Sequence, residues 1–204
     1  MKGSVLFGGK INYTNNNSDL DQRTDIHTSQ KTKSNAFSFD PQIGYTLKNN
    51  WVVGTTLSFQ GSKRIVNSTS SNSSNTSNER LTDKANAFGA ALFARKYFPL
   101  GDKFSAFGEF SSGALWNNIT STYVYANDNP GENNAEYVEY QTRLLAGLAY
   151  FPKNWMAIEL STNLVTFTSS DQETVISQTN TNSFDFGFNT SSINLGVSFF
   201  LNNK

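Results

Sequence analysis

Hydrophobic and polar residues alternate along most of this chain. From Ser4 to Thr14, the odd positions hold Val, Phe, Gly, Ile and Tyr, while the even positions hold Ser, Gly, Lys, Asn and Thr, with Leu6 as the exception. A period of two residues is the pattern of a β-strand with one apolar and one polar face. Later segments repeat this period, and together they predict eight antiparallel strands.

The connections between the predicted strands are of two kinds. A short phrase in which aromatic residues bracket a tight turn occurs at 45–51, 97–104 and 150–155. The other connections are polar and rich in Asn, Ser, Thr and Asp, and they predict long loops at 15–33, 62–83, 124–135 and 169–182. Short turns at one end and long loops at the other are typical of a transmembrane up-and-down β-barrel, with the turns in the periplasm and the loops outside the cell.

The size of the barrel decides which face points outward. An eight-stranded barrel has an interior only wide enough for side chains. One face of the predicted strands carries Phe, Tyr, Trp and Leu, whereas the other carries mainly Gly, Ser, Thr and Ala. We therefore expect the apolar face to point outward into lipid. The alternative is a large soluble β-sandwich whose apolar faces pack together.

Aromatic residues near the strand ends predict two belts at the membrane interfaces, as membrane barrels carry them. The belt beside the turns is predicted to contain Tyr45, Trp51, Tyr97, Phe98, Phe104, Tyr150 and Trp155. The belt on the loop side is predicted to contain Tyr13, Phe37, Trp116 and Tyr140.

The composition narrows the class of protein. Aromatic residues make up 14% of the 204 residues and charged residues 16%, and the formal net charge is zero, which argues against a nucleic-acid partner. Mean hydropathy is −0.46, and no apolar run is long enough for a membrane-spanning helix. The absence of cysteine excludes disulfides and thiolate metal sites. We expect residues 1–204 to form one barrel domain, and we interpret Met1 as a start that replaces a removed export signal.

Six charges lie on the small-residue face and would point into the lumen. They are Lys10, Asp40, Arg95, Glu109, Arg143 and Glu159. Unpaired charges in a narrow interior are costly, so we expect these three basic and three acidic groups to pair across strands. The sequence leaves two roles open: a plug that holds the barrel closed, or a polar path for ions.

Candidate chemistry outside this set is sparse. The single histidine, His27, lies in a polar stretch with no second ligand or nucleophile nearby in sequence. Acidic groups at 19–21 and 128–132 lack the spacing of a calcium loop. The sequence therefore predicts no catalytic residue, no metal site and no cofactor.

Three motifs resemble the small outer-membrane β-barrels of Bacteroidota, which are related in architecture to OmpX, OmpW and the barrel of OmpA. They are Ile43-Gly-Tyr-Thr-Leu47, Phe93-Ala-Arg-Lys-Tyr-Phe-Pro99 and Ile193-Asn-Leu-Gly-Val-Ser-Phe-Phe200. The resemblance implies an outer-membrane location and a C-terminal strand that the barrel-assembly machinery reads. It implies no particular activity.

These observations predict a non-enzymatic barrel with a closed lumen. It would act as a structural or surface-interaction protein, or as an accessory subunit of an envelope complex. Its expected partners are outer-membrane lipid and a protein in an envelope complex or at the cell surface. A narrow porin-like channel for small solutes or ions is the alternative, and a hydrolase that uses His27 is the third hypothesis.

Overall fold

The computed structural model describes residues 3–23, 27–71, 76–125, 129–173, 178–187 and 193–201, which form a single antiparallel sheet. Its strands are β1 (Val5–Arg23), β2 (His27–Thr46), β3 (Trp51–Ser71), β4 (Thr76–Pro99), β5 (Phe104–Tyr125), β6 (Gly131–Lys153), β7 (Met156–Glu173), β8 (Gln178–Phe186) and β9 (Asn194–Leu201). A 3₁₀ turn, Lys48–Asn50, joins β2 to β3. Among these residues, no helix has the length and apolar character needed to cross a membrane.

The sheet closes on itself as a barrel. Each strand from β1 to β7 pairs with the next, and β9 pairs with both β7 and β1. Strand β8 pairs with Val165–Glu173 of β7, toward the long hairpins, while β9 pairs with Met156–Ser161 of the same strand, toward the short turns. The ring therefore has eight strand positions, the last shared by β8 and β9, and the predicted up-and-down barrel is confirmed.

The last position of the ring is divided between β8 and β9. The flanking pairs are Val165 with Phe186 and Ser161 with Asn194. Between them, the alternation of the sequence slips by one residue at 189–192, which predicts a β-bulge there. Residues 188–192 lie outside the described part of the chain.

The boundaries predicted for the long loops are wrong. Pairing between β1 and β2 continues to Arg23 and His27, and pairing between β3 and β4 continues to Ser71 and Thr76. The polar segments form hairpins because backbone ladders that start in the barrel need no apolar core to continue. Side chains add cross-strand hydrogen bonds, such as the one that Thr120 Oγ1 donates to Asn134 Oδ1 at 2.7 Å.

The short turn after β2 is the tight turn that the sequence predicted at 45–51. Asn49 and Asn50 adopt positive φ angles of 58° and 61°. Asn tolerates this left-handed region better than most residues with a side chain, which is why it is frequent in tight turns.

The apolar face points outward, as predicted. Leu92 is 71% exposed on the outer surface, whereas Arg95 on the opposite face of β4 is fully buried. Ten of the predicted belt residues also lie on the outer surface: Tyr45, Trp51, Phe98, Phe104, Tyr150, Trp155, Tyr13, Phe37, Trp116 and Tyr140. Their contact with the membrane interface stays a prediction. Tyr97 was wrongly predicted, because it is 2% exposed and lies inside the barrel.

The turn end of the lumen is filled by an apolar core. Its members are Leu6, Val52, Phe93, Tyr97, Phe107, Leu145, Ala149, Phe151, Ala157 and Phe200. The expectation that aromatic residues do not fit inside is therefore wrong at this end. They fit because small residues face them: a Cβ added to Gly147 would lie 2.5 Å from Phe107 Cζ. A large ring on one strand thus lies opposite a glycine on the next, as Phe107 lies opposite Gly147.

This close approach predicts that Gly147→Ala destabilises the barrel. The added methyl group would also lie 2.6 Å from the carbonyl oxygen of Leu160, so the ring and the backbone must both shift. Overpacking of this kind costs about 1–3 kcal/mol. Samples are heated to graded temperatures before SDS gel electrophoresis, and the temperature at which the compact, folded band is lost should be lower for Gly147→Ala than for the wild type. Gly101→Ala is the matched control, since a Cβ added there would have nothing within 4 Å; equal midpoints for the two variants would contradict the packing.

Candidate functional site in the lumen

Four charged side chains from four strands meet in the middle of the lumen. Arg95 on β4 and Glu109 on β5 are direct cross-strand partners. Lys10 on β1 and Glu159 on β7 are both partners of Gly196 on β9, which lies between them. Because strand neighbours with the same parity point to the same face, this register directs all four groups inward. We call these four residues the lumen charge network.

Arg95 is the centre of the network. Its Nε donates to Glu109 Oε2 at 2.7 Å, and its Nη1 donates to Glu159 Oε1 and Oε2 at 2.8 and 2.9 Å. Its Nη2 donates to Gln42 Oε1 at 2.8 Å. The guanidinium also lies 4.8 Å from the centre of the Phe107 ring, within the range of a cation–π contact. Arg95 is fully buried, and its donors thus bind acceptors on three other strands.

Glu109 is held between two cations. One oxygen accepts from Arg95, and the other accepts from Lys10 Nζ at 2.7 Å. Lys10 is 5% exposed and Glu109 is 2% exposed. Strand order would place a second guanidinium, Arg143 on the adjoining β6, beside this carboxylate, but Lys10 reaches it instead from the other side of the lumen. With two positive and two negative groups, the network is electrically neutral.

Sequence reasoning missed three uncharged members. Tyr97 Oη accepts a hydrogen bond from Arg95 Nη1 at 2.8 Å and donates one to Glu159 Oε1 at 2.7 Å. Gln42 Nε2 donates to Thr56 Oγ1 at 2.9 Å, which fixes the amide that accepts from Arg95. The signal was present, since Tyr97 shares the inward parity of Arg95 on β4. The expectation of an aromatic belt concealed it.

The other two predicted charges lie outside the network. Asp40 and Arg143 line a cavity of about 370 Å³ on the side of the long hairpins. Asp40 is 7% exposed, and its Oδ1 has no hydrogen-bond partner among the described residues. No hydrogen bond in the described part of the chain joins Arg143 to Glu109. The lumen therefore has three layers: the apolar core, the lumen charge network and this cavity, which we call the vestibule.

Within the described ranges, no group of three or more His, Cys, Asp or Glu residues is placed to hold a metal ion. The backbone of His27 begins β2 at the outer end of the barrel, and its side chain lies outside the described part of the structure.

Comparison with protein families identifies the barrel. The family described as outer membrane protein beta-barrel domain matches residues 2–172. No curated protein matches the chain.

Among the solved structures to which the chain is similar are proteins of three bacteria. Ail of Yersinia pestis, in complex with the heparin analogue sucrose octasulfate, is 13% identical, with 98% of this chain and 96% of Ail covered and a TM-score of 0.32. The outer membrane protease OmpT of Escherichia coli is 9% identical, with 97% and 92% covered and a TM-score of 0.41. The translocator domain of the autotransporter NalP of Neisseria meningitidis is 7% identical, with 97% and 87% covered and a TM-score of 0.37. Likeness at this level carries no information on what the chain binds or catalyses.

The pairing geometry predicts that Glu109→Ala strongly destabilises the folded barrel. Removal of this carboxylate leaves Lys10 buried without its partner, and a broken buried ion pair costs about 3–5 kcal/mol. The unfolding midpoint in detergent should fall far more than in Glu132→Ala, which removes an exposed hairpin carboxylate. The double variant Lys10→Met/Glu109→Gln should recover much of the loss, because no charge is stranded. A Glu109→Ala midpoint equal to that of Glu132→Ala would disprove the network's structural role.

Proposed function

The chain belongs to the outer membrane protein beta-barrel domain family, and from this premise we propose that it is a non-enzymatic surface-interaction protein with a closed lumen. The bacterial outer membrane holds the barrel, and the long polar hairpins are its contact surface outside the cell. If the hairpins contact a neighbouring membrane protein, the chain is an accessory subunit of an envelope complex.

The observation that carries the proposal is the stacking of two layers of buried side chains in the lumen. The neutral network of Lys10, Arg95, Glu109 and Glu159 fills the middle, with side-chain exposures between 0% and 7%. Below it, the ring of Tyr97 lies 5.6 Å from that of Phe107 and 6.1 Å from that of Phe200, centre to centre. An ion crossing this barrel would have to break buried ion pairs and then enter an apolar layer. Both steps cost free energy, which favours a plug over a pore.

The hairpins supply the surface for interaction. Strands β3 and β4 remain paired as far as Ser71 and Thr76, well beyond the outward-facing Phe59 and Phe88. Their Asn, Ser and Thr side chains offer both donors and acceptors of hydrogen bonds. A continuous backbone ladder holds these groups in fixed positions, so little conformational entropy is lost when a partner binds.

The buried carboxylates also support a role without catalysis. Glu109 and Glu159 are each 2% exposed and are held by cations. A general acid or base has to reach its substrate within hydrogen-bond distance. Both carboxylates are instead occupied by bonds that stabilise the barrel.

Electrical recordings in planar bilayers test the closed lumen. The wild-type protein should show no steady conductance. Glu109→Ala should also stay closed, because the apolar layer remains, whereas the further loss of Phe107 and Phe200 as alanines should give transient openings. Stable, ion-selective channels from the wild type would overturn the proposal and favour the porin-like alternative.

Labelling of intact cells tests which end is outside. The chain has no cysteine, so single substitutions report one position each. Ser77→Cys, on the exposed outer part of β4, should react with a membrane-impermeant maleimide. Asp102→Cys, in the turn between β4 and β5, should react only after the cells are lysed. The reverse pattern would invert the orientation.

A further inference from the structure

The vestibule is lined by a ring of directly paired residues. Asn12 pairs with Ser38, Ser38 with Gln60 and Gln60 with Ala87. Ala87 then pairs with Asn117, and Asn117 with Tyr137. Since cross-strand partners stand side by side on one face, the ring spans six strands at one level of the lumen.

The ring has a mixed hydrogen-bonding character. Its side chains are amides and hydroxyls, with the single methyl group of Ala87 leaving space in the wall. Amides carry donors and acceptors at once, and hydroxyls do the same with one atom. Such a lining matches a ligand whose own groups both donate and accept.

The floor of the vestibule contains acceptors that lack donors. Asp40 Oδ1 and Asn163 Oδ1 are both buried, and neither has a hydrogen-bond partner among the described residues. Both residues line the vestibule, and both also line the small cavity of about 20 Å³ directly above the lumen charge network. A buried acceptor without a donor destabilises the empty site. A molecule that presents donors at this depth would recover that free energy.

We propose that the vestibule is a binding site for a small neutral polyhydroxylated molecule, a mono- or disaccharide. Its volume of about 370 Å³ lies within the range of small-molecule pockets, about 300–1,000 Å³. Hydroxyl groups of the sugar donate to Asp40 and Asn163, whose covered Oδ1 atoms turn toward the ligand on binding, and accept from Arg143. The ring of Tyr137 provides an aromatic face at the rim.

The charges in the wall select against other ligand classes. Asp40 and Arg143 are opposite in sign, so the attraction of a charged ligand to one of them is offset by repulsion from the other. A zwitterion would use both, but it would leave the amides of Asn163 and Gln60 without matching groups. A sugar satisfies the charged and the neutral groups together. This site is separate from the hairpin surface, and its test does not depend on the proposed surface role.

Saturation-transfer NMR on the full chain tests the proposal. The protein is folded in a polyoxyethylene detergent, because sugar-headed detergents would compete for the site. Maltose, sucrose and N-acetylglucosamine serve as probes, and glycine serves as the zwitterionic comparison. At least one sugar should bind saturably and glycine should not.

Two variants locate the binding. Asn163→Leu removes a floor acceptor at similar volume, and Ala87→Leu fills the vestibule while it keeps every polar group. Each should weaken sugar binding at least about tenfold, which corresponds to about 1.4 kcal/mol. Asn67→Leu, on an exposed hairpin position, is the control and should bind as the wild type does. Heat-modifiable gel bands establish that each variant is folded.

Three results would overturn the site. They are a folded wild type that binds none of the sugars, a folded Ala87→Leu variant that binds them with unchanged affinity, and glycine binding that displaces the sugar. The first two would leave the vestibule as a hydrated cavity. The third would assign it to zwitterions.

Discussion

A charge inside a narrow barrel has no bulk water to solvate it, and this constraint organises the lumen. Arg95 is fully buried, so each of its donors requires an acceptor inside the barrel. Glu109, Glu159, Gln42 and Tyr97 supply them. The strands must keep one register relative to one another for these bonds to form. A slip of one residue would turn each inward charge toward lipid, which makes the network a determinant of register as well as of stability.

The amino-acid pattern was sufficient for the parts of the fold that depend on alternation alone. The two-residue period predicted the strands, the outward apolar face and the inward parity of Lys10, Arg95, Glu109 and Glu159. It was insufficient where the backbone ladder continues without an apolar face. A Ser- and Asn-rich segment reads as a loop, since its polarity carries no period, yet hydrogen bonds from the adjoining barrel extend it as a hairpin.

Contacts across the lumen could not be predicted from the sequence. Direct neighbours such as Arg95 and Glu109 follow from strand order, but the partner that crosses the interior depends on barrel diameter and strand tilt. Arg143 has the right parity and lies on a strand next to Glu109, whereas Lys10 is 99 residues away and forms the bond. Tyr97 was misplaced for a related reason: its hydroxyl donates to Glu159, which lies across the lumen on β7.

The position of Phe200 links the interior to the order in which the molecule can form. This residue lies on β9, the strand that pairs with β1 to close the ring, and its side chain completes the aromatic cluster around Tyr97. The contact between β1 and β9 joins residues almost 200 positions apart, and its loop-closure entropy must be overcome late in folding. The hydrophobic gain from burying Phe200 arrives in the same step. Closure of the barrel and completion of the apolar core are therefore one cooperative event. A barrel in which β1 and β9 had not paired would also lack Phe200 in its core.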